Sequence, residues 1–494
     1  MLWSKLMSYN INGKFLDIVK SMYNQAKSCV SVNGSHSGYF PCSIGVRQGK
    51  NVSPLLFTFF LNDLNDYFRS STNLQGVNCA SHPLDNQMFL FLKLFVLLYA
   101  DDTVIVSETA EDLQNALDIY EQYCNMWKLT VNTSKTKVLI INKGRHKTCQ
   151  FYYNGIALDI VNSFKYLGVV FSSNGSFRKA KVEIAKQAER AMYNLLAKCK
   201  NLALPIDMKI DLFNKMVKPI LLYGCECWGY GNNAVLEKVQ LKFLKTILGL
   251  KSCTASYFVY GETGITPLSV DIEARMISFW SSLINPVNAK LSATLYSIML
   301  SNFMYATNRN SKTFLWIEFV KNVFTKCGHM YFWDSQSFPN RKWLYANFKQ
   351  KLTDLFISDF HAKINNDSKY SNYRLFKTTF EFENYLIKTP HQFLKFIIRF
   401  RTRNHRLPIE TGSWSGIKSV ERKCPLCKCS SSIADEFHYL LECKSLENER
   451  KRFIDKKYYT NPNVIHFKSL MSCLNNHSKY IKLCKFIKAI ICLF

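Results

Sequence analysis

Two groups of residues in this sequence have types and spacings that could do chemistry. The first is Asp101-Asp102, set in residues 92–107, LKLFVLLYADDTVIVS: an apolar run climbs to Tyr99-Ala100, two adjacent carboxylates follow, and a β-branched run descends through Thr103-Val104-Ile105-Val106. That pattern predicts a hairpin with two acids at its tip, between two buried strands. Adjacent aspartates repel each other, so fixing both in one place calls for a cation, and Mg²⁺ is the obvious one for carboxylate oxygens. The plainer reading is a solvated turn, because Asp favours turns on conformational grounds alone. The second group is Cys424-x2-Cys427-x10-His438-x4-Cys443. Three thiolates and one imidazole make a closed tetrahedral set, the pattern of structural zinc, with no open position for catalysis. Chance spacing in a chain of seventeen cysteines is the competing reading, and Cys429 could replace Cys427 as a ligand.

The elements that must hold these residues follow from the surrounding pattern. Residues 13–27 have the apolar spacing of an amphipathic helix. Gly45-Val46-Arg47-Gln48-Gly49 forms a glycine-flanked loop, after which Ser53 as N-cap and Pro54 at the first helical position open a largely buried helix. Such a loop can present a guanidinium and backbone N–H groups to phosphate. Beyond the hairpin, Thr109 with Glu111 and Asp112 starts a helix striped by Leu113, Leu117, Tyr120, Cys124 and Trp127. A link through Asn132 and Lys135 leads to a strand at 138–141, a hairpin around Asn154-Gly155, and a strand at 164–171. Residues 1–177 therefore read as an α+β unit on an antiparallel sheet. Residues 178–284 read as a compact helical domain and 285–410 as a helical, basic and aromatic region. The Cys/His motif occupies 411–460, and a C-terminal helix fills 461–494 and docks on the preceding domain.

Composition narrows the partner. Sixty-four Lys+Arg against thirty-six Asp+Glu leave +28 on a chain that is 48% hydrophobic, which is a folded protein with a polyanionic partner, nucleic acid before membrane. The window 387–406 holds Lys388, Lys395, Arg399, Arg401, Arg403 and Arg406 and no acid. Interleaved with Phe393, Phe396 and Phe400, it suits a surface that tracks a backbone and stacks bases. The cysteines follow no disulfide framework and no secretory signal precedes them, so a reducing compartment, cytoplasmic or nuclear, is expected. No run is long enough to span a bilayer, and no membrane partner is expected.

The ordered set GVRQGKNVSPLLF, YADD in a hairpin, the Asn132/Lys135 segment and FKYLGVVF resembles the palm of a reverse transcriptase of the non-LTR (LINE-type) retrotransposon class. The resemblance is strong over about residues 1–180. It continues more loosely through a thumb-like part that includes Lys218-Pro219-Ile220-Leu221-Leu222-Tyr223-Gly224 and ends in the Cys/His motif. It implies an RNA-directed DNA polymerase working on an RNA template, a DNA primer and dNTPs, with two Mg²⁺ ions. Asp101 would bind them with support from Asp102, and Tyr99 would lie under the primer terminus. Arg47, Gln48 and Gly49 would lie against the incoming nucleotide, and Lys135 would reach the pyrophosphate. Phe164, Tyr166, Leu167 and Gly168 would form the primer grip. Lys395, Arg399, Arg401, Arg403 and Arg406 would add nucleic-acid contacts, and Cys424, Cys427, His438 and Cys443 would hold Zn²⁺. The same palm needs a further aspartate on a strand ahead of the stretch Leu2-Trp3-Ser4-Lys5-Leu6. With a sequence starting at Met1, that strand, the fingers and an endonuclease are expected to be absent, and Asp17 on its helix is no substitute. The expectation is a polypeptide that does not polymerise alone. The alternative is a non-catalytic nucleic-acid-binding remnant that uses the basic surface and the zinc knuckle; a structural or interaction module sits poorly with the charge.

Overall fold

Short β-favouring runs, each closed by residues that accept a positive φ, divide the N-terminal part of the chain into small hairpins. The turns at Asn33-Gly34, Asn154-Gly155 and Leu167-Gly168 all have positive φ at both positions, the geometry whose twist matches the flanking strands. The structure is a computed structural model, and it describes the whole chain except residues 25, 42–44, 46–50, 72, 82–89, 142–148, 201, 203, 286–290, 307–313, 428–432 and 473–476. It separates into two units. The first comprises Met1–Tyr166, Phe171–Ser176 and the Leu291–Ala306 helix; the second comprises Leu167–Val170, the chain from Phe177 up to the loop before that helix, and the C-terminal part.

The first unit is α+β. Instead of one continuous antiparallel palm sheet, the strands among the described residues fall into separate two- and three-stranded sheets, one containing a parallel pair, Lys137–Val138 with Asp159–Ile160. The strands are only two to five residues long, too short to extend one ladder. Their support is the Ala110–Trp127 helix, whose N-cap Thr109 accepts a hydrogen bond from the Asp112 amide and whose C-cap Lys128 is left-handed. One side of this helix puts Ala116 and Tyr123 into a cluster with Leu61, Leu64, Phe68, Phe95 and Val96. The other puts Leu117 against Val138, Phe151, Tyr153 and Leu158. Asp112 is buried and accepts hydrogen bonds from the Gln75 and Gly76 amides, at 2.7 and 2.8 Å, fixing the start of the Val77–Ala80 strand. Only glycine fits there: φ is +61°, and a Cβ would stand 2.5 Å from the Leu94 carbonyl oxygen.

An unforeseen feature is Lys5, only 3% exposed. Its ammonium donates to the Phe60 carbonyl, to Asp63 and to the Tyr123 hydroxyl, at 2.5, 2.6 and 2.6 Å, and lies 3.8 Å from the Trp127 ring centre. Burial depresses its pKa although Asp63 works against that shift. A buried amine so fully paired ties the first helix to the helical core.

The second unit is almost wholly helical. At its centre is the Leu268–Ile284 helix, which buries Ile272, Met276, Ile277 and Trp280 and packs on Arg341–Asn366, Cys225–Trp228 and Leu315–Cys327. The C-terminal helix, His477–Cys492, packs on His391–Arg401. Among the described residues, no helix is long and apolar enough to cross a membrane.

Candidate active site and metal centre

The hairpin carrying the paired acids forms, with its tip shifted by one residue. Val96–Tyr99 runs antiparallel to Asp102–Ile105 with Tyr99 opposite Asp102, so the two turn residues are Ala100 and Asp101, and Asp102 starts the return strand. Ala100 takes φ +50°, a left-handed conformation that costs about 1 kcal/mol for a residue with a Cβ. The strands are not buried on both faces as expected: Leu97 and Leu98 are each 38% exposed and Tyr99 62%. A two-stranded ribbon covered from one side, by the Ala110–Trp127 helix, leaves its outer face and tip in solvent. Both carboxylates are exposed. The Tyr120 hydroxyl donates to Thr103 Oγ1 at 3.4 Å, joining the supporting helix to the strand directly after Asp102.

A second hairpin, Ser163–Tyr166 with Val169–Ser172, carries the residues assigned to the primer grip. Burial first, and then the charge of the Asp102 carboxylate, push the Tyr166 phenol pKa up. The turn residues Leu167 and Gly168 have φ +45° and +82°. Within the second unit the Tyr223 hydroxyl donates to the Leu167 carbonyl at 2.8 Å, and a Cβ on Gly168 would meet the Tyr223 ring at 2.8 Å. The Tyr223 carbonyl in turn accepts the Trp228 indole N–H at 3.0 Å. Tyr223 belongs to a stretch the sequence singles out, but its partner is visible only once the chain is folded. Phe164 is 37% exposed. Lys135 is exposed in a turn whose amide is held by the Asn132 side chain, and no contact ties it to the acids among the described residues. Arg47, Gln48 and Gly49 lie outside the described residues.

Two adjacent exposed carboxylates offer the oxygen donors a hard divalent cation prefers while it keeps most of its waters. Among the described residues no third Asp, Glu, His or Cys joins them in a metal-sized group. The donor set is right in kind and incomplete in number.

The Cys/His group is complete. Ligand atoms of Cys424, Cys427, His438 and Cys443 all lie within 4.8 Å of one another. Zinc bonds of ~2.3 Å to sulfur and ~2.0 Å to nitrogen in a tetrahedron place sulfurs ~3.8 Å apart and sulfur and nitrogen ~3.5 Å apart. The observed Cys424–Cys443 sulfur separation is 3.8 Å and Cys427 Sγ to His438 Nε2 is 3.5 Å. The other ring nitrogen, Nδ1, faces Glu442 at 3.3 Å, which orients the imidazole. Burial, then the Cys424 sulfur, pushes the Cys443 thiol up to about 12, an arrangement that a bound cation would reverse. Asp435 accepts the His438 amide, and Arg450 donates to the carbonyls of Leu440, Tyr439 and Cys443, bracing the return turn. Cys427 lies within the cluster; Cys429, the alternative second ligand, lies outside the described residues.

The expected basic surface divides in two. Lys395 and Arg406 are exposed and Arg399 is half-buried. Arg401 and Arg403 point inward and correct the expectation. Arg401 is paired with Glu262 at 3.0 Å and Glu383 at 2.9 Å, over the rings of Phe376 and Tyr385. Arg403 donates to the carbonyls of Lys369 and Ile409, at 2.9 and 3.2 Å. Glu262 is fully buried; burial alone would raise its pKa, and Arg401 and Lys377 outweigh that and hold it below the ordinary carboxylate range. The cations are where the buried acids are, not where phosphates could reach them.

Residues 1–171 match the family "Reverse transcriptase (RNA-dependent DNA polymerase)". The chain is 22% identical over 250 residues to the RNA-directed DNA polymerase from mobile element jockey of Drosophila funebris, covering 48% of this chain and 25% of that protein. It is 26% identical over 275 residues to the probable RNA-directed DNA polymerase from transposon BS of Drosophila melanogaster, 53% of this chain and 28% of that protein. A further match, 24% identical over 268 residues, is to the retrovirus-related Pol polyprotein from type-1 retrotransposable element R2 of Popillia japonica, 52% of this chain and 41% of that protein. The chain thus spans between a quarter and about two fifths of the length of these relatives.

Proposed function

Residues 1–171 are a reverse-transcriptase domain, distantly homologous to the RNA-directed DNA polymerases of non-LTR retrotransposons, and from that premise we propose that Asp101 and Asp102 are the carboxylate pair of a nucleotidyl-transfer site. Magnesium ions bound there would supply the charge that sharpens a primer 3′-hydroxyl and neutralises the leaving oxygens. The chain's own residues do the positioning. The left-handed Ala100 turn directs both acids into solvent before any ligand arrives. Tyr99, exposed and opposite Asp102, offers a ring for the primer's last base. Tyr166, whose phenol feels the Asp102 charge, belongs to the primer grip together with Phe164 and the Leu167-Gly168 turn. Lys135 is assigned to the pyrophosphate, and Arg47, Gln48 and Gly49, outside the described residues, to the incoming dNTP. The Cys424, Cys427, His438 and Cys443 set holds structural zinc.

What supports this reading is geometric: two adjacent exposed carboxylates at the tip of an antiparallel hairpin, inside the matched domain. With Fe²⁺ replacing Mg²⁺ and peroxide added, backbone cleavage is expected beside Ala100–Asp102 and lost in Asp101→Asn with Asp102→Asn. Cleavage that persists in the double variant would move the metal elsewhere. Because no third acidic ligand joins the pair among the described residues, leaving a two-metal site short of negative charge, this polypeptide alone is expected not to extend a primer on an RNA template. Template-dependent incorporation abolished by Asp101→Ala would overturn that part and keep the site. A second reading, nucleic-acid binding without catalysis, is favoured by the same incomplete donor set and the net +28, and predicts affinity that falls steeply with salt.

A further inference from the structure

The helical unit contains a cleft with no part in the hairpin chemistry. A cavity of about 520 Å³ opens between three helices, Cys225–Trp228, Leu268–Ile284 and Arg341–Asn366. Arg275, Ser278 and Phe279 line it from the central helix at positions i, i+3 and i+4, and Arg341 and Tyr345 from the long helix at i and i+4, so each set shares one helix face. Glu226 closes the third side.

The chemistry of this lining is specific in two respects. Its charge is positive and underused: Arg275 makes only a long 3.5 Å contact to Glu226 and a 3.4 Å bond to the Leu222 carbonyl, and Arg341 has no carboxylate partner among the described residues. The acid one turn away, Asp271, takes no part, because Lys218 and Lys349 already hold it. Its walls are aromatic: Tyr345 is 37% exposed, and Phe279 is held edge-on against Trp316, whose indole N–H donates to the Glu226 carbonyl at 2.7 Å. Two guanidiniums beside two rings suit a phosphate joined to a flat base. The two long helices that frame it pack against each other, and the volume suits one nucleotide and not a duplex.

We propose that this cleft binds a single nucleotide unit, its phosphate between Arg275 and Arg341 and its base against Tyr345 and Phe279. The unit comes either as a free nucleoside monophosphate or as an unpaired residue of a single strand. The reading is independent of Asp101 and Asp102.

The test uses the full 494-residue chain with two probes, a fluorescein-labelled oligouridylate and AMP, at fixed ionic strength. Arg275→Ala with Arg341→Ala, and separately Tyr345→Leu, are expected to weaken oligouridylate binding about tenfold, the scale of one lost base–aromatic stack, while Tyr345→Phe retains it. Lys342→Ala with Lys351→Ala removes the same charge from the same helix outside the cleft and is the reference. AMP bound and lost in parallel identifies a free-nucleotide site; oligouridylate alone affected identifies a strand residue. Losses no larger than in the reference, Tyr345→Leu indistinguishable from Tyr345→Phe, or inorganic phosphate displacing the probes as well as AMP does, would each overturn the proposal. Circular dichroism of each variant separates lost binding from lost folding.

Discussion

The Asp101–Asp102 hairpin and the buried ionic core around Arg401 use the same kind of side chain to opposite ends. At the hairpin, two like charges stand in solvent on a turn that spends about 1 kcal/mol of backbone strain, with no protein cation paired to them among the described residues. Around Arg401, every charge is answered: the buried Glu262 by Arg401 and the Tyr385 hydroxyl, the half-buried Glu383 by Arg401 and Lys377. Among the described residues the first arrangement has no ion pair that could stabilise the fold, and it fits the proposal that a cation binds there. The second contributes only while complete.

Several experiments press on that contrast. The largest effect belongs to the metal centre, the extreme case of a closed set. Cys424→Ser or chelation should remove one zinc per chain and with it ~10 kcal/mol of local folding free energy, read as lost helical circular dichroism and zinc content. Next, Arg401→Leu should cost ~3–5 kcal/mol, because it strands Glu262 buried and unpaired; urea denaturation measures it. Acid acts on the same pair. Glu262's carboxyl is held below its ordinary 4.5, so its contribution is present above that pH and lost as pH falls below it toward the folded value. Wild-type stability should therefore drop below pH 4.5 more steeply than that of Glu262→Gln. Third, Tyr223→Phe should cost ~1 kcal/mol by removing one hydrogen bond, seen as faster amide exchange at Leu167–Val170 and unchanged exchange in the Cys/His region. Smallest, Asp101→Asn and Asp102→Asn should shift stability by no more than ~0.5 kcal/mol. A large loss there would mean the pair is structural and would erase the contrast.

What the sequence shows, and what it hides, follows the same line. The Cys/His centre was legible because its four ligands lie within twenty residues, and local spacing encodes local geometry. The hairpin was legible from alternating apolar residues, but its tip was misplaced by one, since alanine is not a residue that announces a left-handed turn. The continuous sheet was not foreseeable in pieces, because strand length depends on neighbours the pattern does not name. The basic window misled for a plain reason: a string of arginines carries no trace of Glu262, 139 positions earlier, whose burial draws Arg401 inward. Lys5 escaped notice likewise, its partners Asp63 and Tyr123 lying 58 and 118 positions downstream.

The fit between Gly168 and the Tyr223 ring has an evolutionary corollary. Because a methyl added at Gly168 would collide with the Tyr223 ring at 2.8 Å, on a backbone whose φ of +82° already disfavours a side chain, the glycine cannot drift while the tyrosine stays. Among homologous chains the two should be inherited together, and where the glycine has been replaced, a smaller side chain should stand in for the tyrosine.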